Sequence, residues 1–240
     1  MLNPAKLAER SPPTPLRVPL LLGAAVLALL SLWLLATELM RPGIEQLPTD
    51  PANAIAAAQR RGAAWRAASV GAVRSDLWAE SAYTYADLLW PETHGKANSN
   101  SAAGLDRARI SLDRAIGHGP HQSAAWLLLA GLGQQFRWPG FAPLDVLKMA
   151  YYTGPSERRL IPLRLRIAVR GDKFDDFEIR QFVSRDLRFL LAQKQMSVIV
   201  DAYAVASAAG KKFIEQSLKD IDPAALKSLQ TAATGRPMPD

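Results

Sequence analysis

Residues 18–36 carry no charged side chain, and only Pro19, Gly23 and Ser31 interrupt a run dominated by Leu, Val and Ala. As a helix these 19 residues rise roughly 28 Å, close to the thickness of a bilayer's hydrocarbon core. A core helix of a soluble protein carries a polar stripe, and this segment has none. Lys6, Arg10 and Arg17 precede it against a single Glu9, whereas Glu38, Arg41, Glu45 and Asp50 follow with a slight acidic excess. The positive-inside bias therefore places the N-terminus in the cytoplasm. A cleaved signal peptide is the competing reading. Its apolar stretch is normally shorter and ends in an A-x-A-like site, which LATELM at residues 35–40 does not offer. The expectation is a cytoplasmic basic tail at residues 1–17 and an uncleaved signal anchor at 18–40, with Trp33 as an interfacial aromatic. Everything beyond then lies outside the cytoplasm, which for a bacterial inner-membrane protein is the periplasm.

The chain has no cysteine, which excludes a disulfide framework, a thiol nucleophile, an iron–sulfur cluster and a thiolate zinc site. The 49% hydrophobic content excludes a fully disordered chain. Net charge is +7; three basic and two acidic groups fall in the first 40 residues, leaving +6 on the exported part. That excess permits binding of an anionic polymer. Nucleic acid is not an expected partner in that compartment.

Beyond a Pro- and Gly-containing linker at residues 41–50, helical periodicity runs nearly throughout, and no segment alternates as a strand does. The chain is expected to be all-α. Asp50 followed by Pro51 starts a helix in which Ile55, Ala58, Gly62 and Trp65 recur at steps of three and four. Ser75 or Asp76 starts a second, in which Trp78, Ala82, Tyr85 and Leu89 share a face. Residues 91–104, PETHGKANSNSAAG, are too polar and small to bury a face and read as an exposed loop. Periodicity resumes at 105–116, 123–136 and 143–152.

Residues 156–230 form a further helical part. Ser156 caps, Pro162 kinks a helix or marks its true start, and Asp175 with Asp176 caps a strongly amphipathic one. Residues 196–206 and 211–221 read as a pair broken at Gly210. A last helix runs from Pro223 through Leu229, and residues 231–240 are expected to fray.

Several of these residues resemble the tetratricopeptide-repeat family, whose hairpins follow W-x2-L-G-x2-Y, then A-x3-F, then a late Pro, over about 34 residues. Trp78, Ala82 and Tyr85 match the opening of one unit. Ala108, Leu112, Ala115 and Pro120 match a second half. Trp126, Leu129 and Ala130 open the next unit, with Ala142 and Val146 at its second-helix positions and Pro155 closing it. Trp78 and Trp126 stand 48 residues apart, one unit of about 34 plus the length of the stretch at 91–104, so a loop insertion accounts for the spacing. Ser81, Gly133, Ala82 and Ala130 depart from the pattern. The resemblance covers residues 51–155 and implies a helical-hairpin solenoid whose concave face binds other proteins.

Little in the sequence points to catalysis. The hydrolase elbow, S-x-x-K, H-E-x-x-H and phosphate-loop motifs are missing. His118 and His121 share a turn, but a metal needs three or four ligands and no third is close in sequence. No metal, cofactor or catalytic residue is therefore assigned. Asp175-Asp176 and Asp220-Asp222 stand beside helix starts, where capping explains them. Two features are candidates for partner binding. Arg158, Arg159, Arg164, Arg166 and Arg170 crowd one short region, and on an ideal helix Arg159, Arg166 and Arg170 fall within roughly a 40° arc. Such a stripe pairs with acids on neighbouring helices or binds an anionic polymer, lipid headgroup or acidic partner. The second feature is the turn Arg137-Trp138-Pro139-Gly140-Phe141, whose aromatics either anchor a partner or fold back on their hairpin. The expectation is a single-span envelope scaffold or assembly factor, with an anionic-polymer module as the alternative and an enzyme of unknown type as a third.

Overall fold

The computed structural model describes residues 14–90, 100–171, 174 and 176–235. Among these residues there are twelve α-helices and no strand. They are α1 (Thr14–Leu39), α2 (Pro51–Ala58), α3 (Arg61–Val70), α4 (Ser75–Tyr83), α5 (Asn100–His118), α6 (Ser123–Gln135), α7 (Pro143–Thr153), α8 (Ile161–Arg170), α9 (Phe177–Ala192), α10 (Met196–Ala204), α11 (Ala208–Ile221) and α12 (Pro223–Thr234). Short 3-10 turns at Ala86–Leu89 and Arg158–Leu160 complete the set. Arg17–Leu39 is long and apolar enough to cross a membrane, and its aliphatic side chains are exposed.

The closest packing is within hairpins, α3 with α4, α4 with α5 and α6 with α7. Small residues allow this approach. Ala82 on α4 and Ala108 and Ala115 on α5 are fully buried, as is Leu112, and the Ser81 and Ser111 hydroxyls meet at 3.0 Å. Trp78 and Tyr85 are buried as well. One device recurs at the two helix starts. Trp78, fourth residue of α4, donates its indole N–H to the Ala72 carbonyl at 2.8 Å. Trp126, fourth residue of α6, does the same to the Pro120 carbonyl at 2.7 Å. Each ring thus pins its helix to the turn before it. Helix α6 is buried from Ser123 to Gly133 except at the half-buried Trp126, with Leu129 and Ala130 inside, and forms the axis of the domain. Helices α8 to α12 close the far end around Leu163, Ile167, Ile179, Leu187 and Ile214.

Several boundaries differ from the sequence reading. The helix expected from Pro51 through Trp65 is two, because Arg60 leaves helical geometry and sends its guanidinium to the Pro42 carbonyl at 2.8 Å. Ala54, Ala57, Ala64, Ala67 and Ala68 form the buried face, and Ile55 is exposed. Helix α4 stops before Tyr85 because Arg61 takes the Thr84 carbonyl at 3.0 Å and pairs with Asp87, which leaves the next turn to close as 3-10. Helix α5 starts at Asn100, inside the stretch expected to be loop; residues 91–99 lie outside the described set. Ala142 does not pack between helices: it is the exposed residue just before α7, where Pro143 takes the first position. Pro162 stands in the first turn of α8 and marks its start. Gly210 breaks nothing. It lies in the first turn of α11, capped by Ser207, where a Cβ would fall 2.1 Å from the Val169 carbonyl oxygen. Helix α12 continues to Thr234, beyond the start of the expected tail, while residues 236–240 lie outside the described set.

Residues 41–50 are not a free tether. Ile44 and Leu47 are buried in the core, and Gly43 turns the chain at φ +69. Arg41 pairs with Glu38 at 3.0 Å and with the buried Glu80, while Arg74 reaches Glu38 at 3.0 Å and the Thr37 hydroxyl at 3.1 Å. Burial pushes the Glu80 carboxyl upward, against the opposing pull of the Arg41 guanidinium.

Candidate functional site

The α6–α7 turn is a helix C-cap with one unusual residue. Trp138 N–H bonds the Gly133 carbonyl at 3.1 Å, closing α6 in a Schellman motif that requires a left-handed residue after the cap. That residue is Arg137, at φ +48, where glycine is the usual choice. Gly140 at φ +67 then turns the chain back toward α7. The Trp138 and Phe141 rings meet edge to face at 5.7 Å, and the Arg109 guanidinium of α5 lies 5.4 Å over the Trp138 ring. Phe141 fills the space in front of Gly133, whose Cβ would sit 2.0 Å from its ring.

Behind this turn is an open cleft of about 640 Å³, bounded by α6, α7 and the end of α8. Arg137, Trp138, Phe141 and Arg170, from both sequence-nominated features, line it together. Leu144, Leu147 and Ile167 give it an apolar wall, and among the described residues no carboxylate lines it. Gly131 lets Leu89 and Ile167 pack directly on α6 at the cleft's inner end, because a Cβ there would meet them at 2.7 Å and 2.9 Å. Arg170 reaches the Leu89 carbonyl and Gln135 Oε1, each at 3.4 Å. Sequence reasoning missed Gly131, Gly133 and the apolar wall. The signal was two glycines inside a strong helix pattern, which mark close approach of another group.

The other arginines go elsewhere. Arg164 is fully buried, donates to the Gly154 carbonyl at 2.8 Å, stacks over Tyr151 at 4.8 Å and stands 3.6 Å from the buried Asp186. Burial pushes the Asp186 carboxyl up, with Arg164 pulling it down, and burial raises the Tyr151 hydroxyl strongly. Arg166 is partly buried on α8. Arg158 and Arg159 lie in the 3-10 turn before α8, and Arg159 pairs with Glu157 at 3.6 Å. Arg159 faces a second hollow of about 260 Å³ with Arg41, Asp76, Glu80, Tyr83 and His121, where charges of both signs meet. The five arginines therefore do not form one exposed row. His118 and His121 are both exposed, and among the described residues no group of three His, Cys, Asp or Glu is placed to hold a metal.

No protein-family model matches the chain, and neither the curated proteins nor the solved structures contain a significant match to it.

Proposed function

We propose that the protein is a membrane-anchored periplasmic scaffold or assembly factor that binds partner proteins of an envelope machinery such as polysaccharide export, cell-wall synthesis or cytochrome maturation. In this reading α4–α5 and α6–α7 are divergent tetratricopeptide-like units, supported by the matched Trp78 and Trp126 devices. The observation that carries the proposal is the cleft in which Arg137, Arg170, Trp138 and Phe141 converge beside an apolar wall. Its chemistry fits a partner segment with an apolar side chain next to a carboxylate. The apolar group packs on Leu144, Leu147 and Ile167, and the carboxylate faces the two guanidinium groups, whose planar forks suit it.

The test uses full-length protein in detergent micelles, titrated with labelled peptides that differ only in carrying Leu-Glu or Leu-Lys at the centre. The acidic peptide is expected to bind, Arg137→Gly and Arg170→Glu to abolish that binding, and Arg170→Glu to turn the preference toward the Lys peptide. Equal binding of the two peptides, or indifference to both variants, overturns the reading. A reporter active only outside the cytoplasm, fused after Asp240, is expected to be active; the opposite result removes the assigned compartment.

A further inference from the structure

The turn between α3 and α4 exposes two valines in a place that packing does not explain. Val70 is 40% exposed and Val73 65%, and Ala72 between them is exposed too. The turn is not loose. Gly71 N–H bonds the Ala67 carbonyl at 2.8 Å, Arg74 N–H bonds Gly71 at 2.6 Å, and Trp78 takes the Ala72 carbonyl at 2.8 Å. The Val70 carbonyl accepts from the indole N–H of Trp33 at 2.9 Å.

Trp33 belongs to the long apolar helix, five positions before Glu38, the first charge at that end. At 1.5 Å per residue it lies about 7 Å deeper along the axis than Glu38. Arg74 engages Glu38 and Thr37, whereas Val70, four residues earlier, meets the helix at Trp33. The turn therefore points along α1 from its charged end toward its apolar middle. Backbone that enters a bilayer must have its polar groups bonded internally, as the carbonyls of Ala67, Val70, Gly71 and Ala72 are, while the backbone of Val73, beside Arg74, must meet the hydrated boundary. Trp33 sits at the level where amphipathic rings favour the lipid–water boundary.

We infer that the α3–α4 turn is a second membrane contact, a rigid apolar tip whose Val70 and Val73 enter the same bilayer leaflet that α1 leaves. The occupant of this surface is lipid, because the exposed valines continue the exposed apolar surface of α1 across the Trp33–Val70 bond. Arg74 marks its upper limit, held at the charged boundary by Glu38. The inference rests on α1 spanning a membrane, and the test separates the two.

The chain has no cysteine, so single-cysteine variants Val73→Cys and Leu27→Cys of the full-length protein accept one environment-sensitive fluorophore each. Both sites are exposed, so labelling leaves the fold intact. The protein is reconstituted in phosphatidylethanolamine–phosphatidylglycerol vesicles, and quenching by a spin-labelled lipid is compared with quenching by aqueous iodide. Lipid quenching and blue-shifted emission at both positions are the expected result. Lipid quenching at Leu27 with iodide quenching at Val73 overturns the second contact and leaves the anchor intact. Iodide quenching at both overturns the anchor, and the second contact with it.

Discussion

Replacing Arg164 with Met should produce a stability loss that depends on pH in a specific way. Arg164 is fully buried, and so is the Asp186 carboxylate 3.6 Å from its Nε. Removing the guanidinium strands that carboxylate in the core and leaves the Gly154 carbonyl without its donor at 2.8 Å. Losing one partner of a buried pair typically costs about 3–5 kcal/mol. The stranded Asp186 escapes part of this by taking up a proton, at about 1.4 kcal/mol for each pH unit between its ordinary value and the working pH. From an ordinary value of 3.8, that sets a limit of about 4 kcal/mol at pH 7 and about 2 kcal/mol at pH 5. The sign follows from linkage: an acid whose folded value is raised binds its proton more tightly when folded. Its contribution is most favourable at low pH and is lost as pH rises through the folded value. Denaturant unfolding of the full-length protein in micelles at pH 5, 6 and 7 measures this. The double variant Arg164→Met with Asp186→Leu should recover most of the loss and flatten its pH dependence, since both charges leave together. A single-variant loss below about 1 kcal/mol that is flat with pH, or a double variant no better than the single, would refute the reasoning.

Gly210→Ala should lower stability by about 1–3 kcal/mol, because the new Cβ meets the Val169 carbonyl and rigid backbone must move; thermal denaturation reads it. Lys194 closes α9 at φ +56, with Gln195 N–H on the Leu190 carbonyl at 2.9 Å, so Lys194→Gly should raise stability by about 0.5–1 kcal/mol, and a lower unfolding midpoint would count against that strain. Lys148 bridges Asp176 at 2.6 Å and Glu178 at 3.0 Å, tying α7 to α9. Lys148 holds Asp176 below its ordinary 3.8, and the Tyr152 hydroxyl first and then Lys148 hold Glu178 below 4.5. Their stabilisation is present above those values and lost as pH falls through the lowered ones, so the acid-induced drop in midpoint should be shallower in Lys148→Met.

Helices announced by periodicity and caps were legible, and so was the long apolar helix α1, because each is a local signal. Asp50, Asp176 and Asp222 cap as their sequence positions imply. What the sequence concealed was tertiary. The break at Arg60 and the early stop of α4 depend on guanidinium groups reaching distant carbonyls, across 18 and 23 residues. Gly210 looked like a break because glycine usually punctuates, yet its missing side chain makes room for α8. The arginine stripe looked continuous because ideal-helix geometry was extended through Arg159, which lies in the 3-10 turn before α8. The candidate cleft was half legible. Its aromatic turn and Arg170 drew notice as unusual local composition, while its wall comes from α6, α7 and α8 and exists only once they pack.

The packed segment at 41–50 bears on how such a protein meets others. A free tether of ten residues would have a root-mean-square span of roughly 17 Å and let the cleft sample many heights and headings. Here Leu47 is in the core and Arg41 clasps both Glu38 and Glu80. With α1 in a bilayer, the domain becomes a lever fixed to its axle. The cleft keeps one height above the lipid, and turning or tilting α1 swings it through a defined arc. On the proposed reading, partners carried in the same membrane would search for it in two dimensions, and only those presenting their segment at that height would engage it.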